Sequence, residues 1–114
     1  MLRVQDLPSA HLMELLLPEA IDPMEFDRLN ETVLQVLDGK AKEHWVLDLT
    51  SVTYMGSAML GLIVNIRHRV KAGGGKLVLC NMSAQLAEIF RMCSMERLFT
   101  IAKTRPDALK SLGQ

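Results

Sequence analysis

Short apolar runs alternate along this chain with stretches whose apolar residues recur at helical spacing. Residues 12–17, 45–49 and 76–80 are short, largely apolar runs that predict strands, and residues 45–49 are typical of a buried central strand. Weaker runs at residues 2–4 and 98–101 suggest two further short strands. The alternation predicts an α/β fold in which one sheet of four or five strands is covered by helices.

Four helices are predicted between and after these strands. The first begins at Asp22, a capping residue followed by proline, and ends at Gly39. The second runs from near Ser57 to about residue 70 and stops at three consecutive glycines. Ser83 and Thr104 are predicted caps of the third and fourth helices. The apolar face of the first helix comprises Phe26, Leu29, Val33, Val36 and Leu37.

The second helix has two distinct faces. Its core-facing stripe is Met59, Leu62, Ile63, Ile66 and Val70. The opposite face consists of Ser57, Leu60, Gly61, Val64, Arg67, His68 and Lys71, an unusual set for contact with water. A glycine inside a helix costs up to ~1 kcal/mol relative to alanine. Gly61 therefore indicates close approach of another element, which is either part of the same domain or a docked partner.

Ser57 has two interpretations at the start of this helix. It is either a helix N-cap, where serine is common, or a phosphorylation site. A phosphoryl group would add about −1.5 to −2 charges, which the free amides and dipole of a helix N-terminus favour. The same charge beside Leu60 and Val64 would oppose an apolar partner, so phosphorylation would abolish docking without unfolding the domain.

Length and charge exclude several functional classes. The chain has 114 residues, which predicts one domain spanning residues 1–114. Thirteen basic residues balance thirteen acidic ones, and aromatic residues are few, so no nucleic-acid partner is expected. No apolar run approaches the ~20 residues needed to cross a bilayer. With no signal peptide visible at the start, we expect a cytoplasmic protein that does not insert into membranes.

The residues that usually carry catalysis or bind metals lack the required spacing. Ser57 is not followed by the glycine of a nucleophile elbow. The histidines, His11, His44 and His68, form no paired ligand motif and are expected at the surface or at strand ends. Cys80 and Cys93 are expected to be buried thiols in a reducing compartment. The sequence thus predicts no enzyme, no metal site and no cofactor.

Residues 46–61 resemble the signature of the STAS domain family, of the anti-sigma-factor-antagonist type. The likeness consists of an apolar strand ending in Asp-Leu, a valine three positions on, and a serine-containing segment that starts a helix. The matching residues are Asp48, Leu49, Val52, Ser57, Ala58 and Leu60. Weaker likenesses follow in the family's order at residues 21–22, 74–77 with Asn81, and 95–101.

The resemblance implies a mixed sheet with about four helices, largely on one face. It also implies that a partner kinase, itself the anti-sigma factor, phosphorylates the serine that matches Ser57. In such antagonists the unphosphorylated form binds the kinase and frees the sigma factor, a phosphatase restores that form, and ATP belongs to the partner. Two positions depart from the family pattern: Gly56 stands where an aspartate is usual, and Met59 where a glycine is usual.

These features together predict a partner-binding surface around the start of the second helix, with Leu60 and Val64 exposed. The alternatives are a STAS subunit of a transport or signalling complex that is never phosphorylated, and a homodimer formed through the same helix. The predicted partner-binding residues are Asp22, Gly56, Ser57, Ala58, Leu60, Gly61 and Val64.

Overall fold

Five strands form one mixed sheet in which their spatial order follows their order along the chain. The computed structural model describes residues 2–8, 10–16, 22–38, 43–52 and 56–112. Within them, the elements are β1 (Leu2–Asp6), β2 (His11–Leu15), α1 (Pro23–Leu37), β3 (Trp45–Asp48), α2 (Ser57–Ala72), β4 (Leu77–Cys80), α3 (Ala84–Met92), a 3-10 turn (Met95–Arg97), β5 (Thr100–Ile101) and α4 (Arg105–Ser111).

The connections between strands explain why most helices share one face of the sheet. β1 pairs antiparallel with β2, and β2 to β5 are parallel to one another. Parallel neighbours are joined by crossovers, which are right-handed in nearly all proteins. Because each new strand is added on the same side of the previous one, the crossover helices α1, α2 and α3 all pack on the same face.

Two apolar clusters lie on opposite faces of the sheet. Met13, Leu47 and Leu79 are aligned across β2, β3 and β4 and pack in the larger cluster with residues of α1, α2 and α3. Val46 and Val78 belong to the smaller cluster, which α4 covers. The expectation that helices lie largely on one face is therefore confirmed for three of them, and α4 occupies the other face. Burial on both sides explains why β3 and β4 are apolar almost throughout.

Several boundaries differ from the predicted ones by a few residues. β2 begins at His11, one residue earlier than predicted, and α2 continues to Ala72. Gly74 adopts a φ of +89° in the turn that follows, which suits the glycine-rich stop predicted there. β5 has two residues instead of the four predicted at 98–101, because Leu98 is the C-cap of the 3-10 turn. The predicted helix stop at Gly39 lies outside the described residues.

The two cysteines are in different environments, and the prediction for one of them is wrong. Cys80 is buried in β4, and that burial raises the pKa of its thiol to about 12. Cys93 is exposed, because α3 ends at Met92 and the core-facing positions of that helix are Leu86 and Phe90. Both thiols are free.

Truncation of a buried leucine in β4 should strongly destabilise the protein. Leu79 is 0% exposed, so Leu79→Ala should lower the free energy of unfolding by about 2–5 kcal/mol through lost burial and a residual cavity. Urea denaturation followed by circular dichroism measures this change.

Leu98→Ala is the matched control, because Leu98 is 44% exposed. It should change the free energy of unfolding by less than about 1 kcal/mol. Equal losses for the two variants would contradict the assignment of Leu79 to the core.

Candidate functional site

Three helices begin at the same edge of the sheet. The carboxyl ends of β2, β3 and β4 point toward this edge, because these strands are parallel and adjacent. The N-cap residues that follow them are Asp22 for α1, Gly56 for α2 and Ser83 for α3. The edge of a parallel sheet at which its strands end is where such folds usually bind ligands. The topology therefore brings the predicted residues Asp22, Gly56 and Ser57 to one edge.

Asp22 forms the helix cap predicted for it. Its carboxylate accepts a hydrogen bond of 2.8 Å from the backbone N–H of Glu25, and the side chain is exposed. This backbone hydrogen bond, with a further interaction with the Glu25 side chain, lowers the pKa of Asp22. The carboxylate is thus a fixed negative charge at the start of α1.

Ser57 is the first residue of α2 and not its cap. The N-cap is Gly56, which has extended backbone angles (φ −86°, ψ 179°), and no side chain caps the helix. The interpretation of Ser57 as an N-cap is therefore wrong, because the helix begins at Ser57 itself, one residue earlier than that role requires. Ser57 is exposed, as are its neighbours Gly56 and Ala58.

Gly61 faces open space. A Cβ atom added at this position would meet no atom within 4 Å, and the same is true at Gly56. Close packing within the described part of the domain therefore does not explain a glycine inside α2. Of the two interpretations of Gly61, close approach by a docked partner is therefore the one that stays a prediction.

Leu60 and Val64 are half-buried, so the prediction that both are exposed is only partly correct. Both side chains pack against the larger core cluster. Each follows a buried residue, Met59 or Ile63, and one residue turns the helix by about 100°. The two side chains therefore lie at the margin of the core and leave part of their apolar surface accessible beside Gly61.

Arg67 links α2 to the segment before β5. Its Nε donates a hydrogen bond of 2.6 Å to the backbone carbonyl of Leu98. The guanidinium also lies over the ring of Phe99, 6.0 Å from the ring centroid, within the range of a cation–π contact. Arg67 thus has a structural role on the face predicted for docking.

The carboxylate of Asp48 joins three segments at this edge of the sheet. Asp48 ends β3 and is fully buried. Its Oδ1 accepts hydrogen bonds from the backbone N–H of Thr50 (2.8 Å) and from the Thr50 hydroxyl (2.5 Å). Its Oδ2 accepts from the side-chain amide of Asn81 (3.1 Å) and from Nε of Arg105. One carboxylate therefore connects the segment leading toward α2, the turn after β4 and the start of α4.

The electrostatics of this cluster favour ionised Asp48. Burial alone would raise the pKa of the Asp48 carboxyl, but hydrogen bonds from Thr50, Arg105 and Asn81 outweigh it and hold the pKa below its usual value. Glu14, also buried, accepts a bond of 3.3 Å from Nη2 of Arg105. The sequence predicted Asp48 only as a family match. The sequence signal for this cluster was an acidic residue within a predicted buried strand, because a buried carboxylate requires a hydrogen-bonding or charged partner.

Elsewhere in the described residues, the titratable groups do not form a metal centre. His11 lies at the start of β2 with its Nδ1 2.6 Å from Oδ1 of Asp6, and its Nε2 contacts Glu43. The described ranges contain no group of three or more histidine, cysteine, aspartate or glutamate residues arranged to hold a metal ion. None of the helices in those ranges has the length and apolarity to cross a membrane.

Comparison with known proteins gives one family. The sequence model of the STAS domain matches residues 6–108. Among curated proteins, BtrV of Bordetella bronchiseptica, named as an anti-sigma factor antagonist, is 29% identical over 69 residues, which span 60% of this chain and 60% of that protein. The resemblance found in residues 46–61 is thereby confirmed.

Solved structures of low sequence identity share the fold. An anti-sigma-factor antagonist (STAS) domain protein from Planctomyces limnophilus superposes with a TM-score of 0.85 at 20% identity, over 99% of this chain and 98% of that one. The Bacillus cell fate determinant SpoIIAA, in its phosphorylated form, superposes with a TM-score of 0.69 at 14% identity, over 97% of this chain and 98% of that one.

Removing the charge of Asp48 should destabilise the protein in a pH-dependent way. Asp48→Asn should lower the free energy of unfolding by about 2–4 kcal/mol at pH 7, because it removes one of the two buried carboxylates paired with Arg105 and replaces an acceptor with an amide group that faces donors. The folded pKa of Asp48 lies below the unfolded value of 3.8. The stabilisation from the ionised form is therefore complete above that value and is lost as the pH falls through the folded pKa.

Urea denaturation at neutral and acidic pH measures the effect. The difference between the wild type and Asp48→Asn should narrow below the unfolded pKa. Glu88→Gln is the control, because Glu88 is exposed and its ion pair within the described ranges is with Arg91 on its own helix. It should cost less than about 0.5 kcal/mol. A difference for Asp48→Asn that is constant with pH would contradict the charge-based account.

Proposed function

This chain belongs to the STAS domain family, and on that premise we propose that it is a cytoplasmic anti-sigma-factor antagonist. In this role it binds an anti-sigma factor that is also a serine kinase, and thereby frees the sigma factor. The observation that carries the proposal is the arrangement at the start of α2, where exposed Ser57 lies beside the partly accessible Leu60, Gly61 and Val64. The chain contributes a binding surface, and ATP belongs to its partner.

The proposed docking surface is the N-terminal half of α2 with the cap of α1, defined by Asp22, Gly56, Ser57, Ala58, Leu60, Gly61 and Val64. Leu60 and Val64 offer apolar area that a partner can bury without the domain having to open. Gly61 and Ala58 add almost no bulk between them. A partner backbone can therefore approach α2 closely, which is how small residues usually serve a helix interface.

Phosphorylation of Ser57 would switch this surface off. An exposed hydroxyl at the first position of a helix is accessible to a kinase, and the free amides and dipole of the helix N-terminus stabilise an added phosphate. A charge of about −1.5 to −2 would then stand beside Leu60 and oppose an apolar partner. The similarity to SpoIIAA, whose structure is known in a phosphorylated form, supports this switch. A phosphatase would restore the binding form.

A second candidate is a STAS subunit of a transport or signalling complex that binds its partner constitutively. Gly56 favours it, because the aspartate usual at this position in the family is missing next to the acceptor serine. Such a subunit would use the same surface, and so would a homodimer formed through α2. The two candidates differ in whether Ser57 accepts a phosphoryl group.

Incubation with ATP and the candidate kinase partner should add one phosphoryl group to the protein. Intact-mass spectrometry should show the shift in the wild type and none in Ser57→Ala. Both proteins should bind the partner before ATP is added, and only the wild type should dissociate afterwards. Retained binding without a mass shift would overturn the phosphorylation switch and favour the constitutive subunit.

Substitutions at Gly61 should separate stability from binding. Gly61→Ala should raise the free energy of unfolding by up to ~1 kcal/mol, because alanine favours the helix and its Cβ meets no other atom. Gly61→Arg should leave the fold intact and weaken binding to the partner by about tenfold or more, which corresponds to ~1.4 kcal/mol. Thermal unfolding and titration calorimetry give the two quantities.

Gln35→Arg is the control for the bulk and charge of arginine, because Gln35 is an exposed residue of α1 outside the docking surface. This variant should bind the partner as the wild type does. Undiminished binding by Gly61→Arg would show that the partner does not contact this part of α2.

A further inference from the structure

Positive charge is concentrated at the C-terminal end of α2. Residues 49–87 contain four basic side chains and no aspartate or glutamate, although the whole chain has no net charge. Three of these side chains, Arg67, Arg69 and Lys71, lie in the second half of α2, and Lys76 precedes β4. The second half of α2 and the start of β4 therefore carry a run of positive charge that the overall composition conceals.

Among the described residues, three of the four cations have no carboxylate partner. Arg69 pairs with Asp38 at 3.2 Å, and Arg67 is held by Leu98 and the ring of Phe99. In the part of the chain that the structure describes, Lys71 and Lys76 form no ion pair. Lys71 lies in the last turn of α2, where a cation complements the helix dipole. The dipole does not account for Lys76, which lies outside the helix.

Arg67, Lys71 and Lys76 line one groove. Its volume is about 180 Å³, and the same groove is lined by apolar residues that include Leu77, Leu98 and Phe99. None of its lining residues is acidic. The groove thus combines apolar walls with a cationic lining, which suits a ligand that carries carboxylates along a partly apolar chain.

The groove lies at the end of α2 remote from Ser57. Gly75 and Lys76, which line it, lead into β4, so the groove is at the sheet edge opposite the one where Ser57 lies. The 16 residues of α2 span ~24 Å. Thr100 of β5 also lines the groove, and β5 is an edge strand paired only with β4. An edge strand can accept an extended segment beside it.

We propose that this groove binds an extended, acidic segment of a protein partner. Carboxylates of the segment pair with Lys71 and Lys76, while an apolar side chain of the segment contacts Leu98, which is exposed. The inference goes beyond the proposed function, since it requires neither phosphorylation of Ser57 nor the docking surface. Leu60, Val64, Arg67 and Lys71 follow one another at spacings of three or four residues along α2, so one partner could contact both surfaces.

A model peptide tests the groove without any natural partner. The probe is a short acetylated and amidated peptide of alternating glutamate and leucine, and the control peptide has glutamine in place of glutamate. Amide chemical shifts of the isotopically labelled protein should change for Lys71, Gly75, Lys76 and Thr100 on addition of the probe at low salt. The glutamine peptide should produce much smaller changes, and raising the ionic strength toward 1 M should suppress binding of the probe by screening.

Two charge-matched double variants test whether the probe peptide binds in the groove. The double variant Lys71→Gln/Lys76→Gln should bind the probe peptide with an affinity lowered by about fivefold or more, as expected for the loss of two exposed ion pairs. Arg97→Gln with Lys103→Gln removes the same charge from exposed residues outside the groove and should leave the affinity within about twofold. The proposal would be overturned if both double variants lowered the affinity for the probe equally, or if Lys71→Gln/Lys76→Gln did not lower it. It would also be overturned if the probe did not bind the wild type at low salt.

The outcome is independent of the test at Ser57. If the peptide fails to bind while the kinase partner docks and phosphorylates Ser57, the groove proposal falls and the proposed function stands. If the peptide binds and the kinase partner does not, the proposed function falls and the groove proposal stands.

Discussion

The fold depends on keeping one carboxylate ionised inside the protein. Asp48 ends a strand that is buried on both faces, where an uncompensated charge would be strongly destabilising. Its hydrogen-bond partners come from the residue two positions on, from the turn after β4 and from the first residue of α4. Each of these segments is irregular or terminal and lacks a strand partner of its own at that point. The carboxylate therefore ties together the segment after β3, the turn after β4 and the start of α4 at the edge of the sheet where β2, β3 and β4 end.

Much of this arrangement could be predicted from the sequence, because the relevant signals are local. Apolar runs identified the strands, and the caps at Asp22, Ser83 and Thr104 were identified correctly, since capping requires a particular side chain at a particular place. The cap of α2 was misplaced at Ser57 because Gly56 provides extended backbone and no side-chain signal. Gly56 is also exposed, and an added Cβ there would meet no atom within 4 Å, so the surface at the start of α2 is accessible.

The remaining features depend on contacts between distant parts of the chain. Arg105 is 57 residues from Asp48 in sequence, so their pairing becomes visible only when α4 packs on the face of the sheet opposite the other helices. The half-burial of Leu60 and Val64 likewise depends on the rotation of α2 about its axis relative to the core. The spacing of apolar residues along the helix predicts that rotation only to within about one residue. The exposure of Cys93 reflects the point at which α3 ends. Patterns along the chain predicted the elements well, but not the exposure of residues at their margins.

The position of α4 has a consequence for synthesis of the chain on the ribosome. Because α4 follows all five strands, the sheet emerges with one face uncovered and with Leu12, Val46 and Val78 open to solvent. During that interval Asp48 also lacks Arg105. A nascent chain halted before residue 105 would therefore carry an apolar surface with an unpaired acidic group at its margin. Such a surface is the kind that cellular chaperones bind, so the docking of α4 removes this exposed surface from the newly made domain.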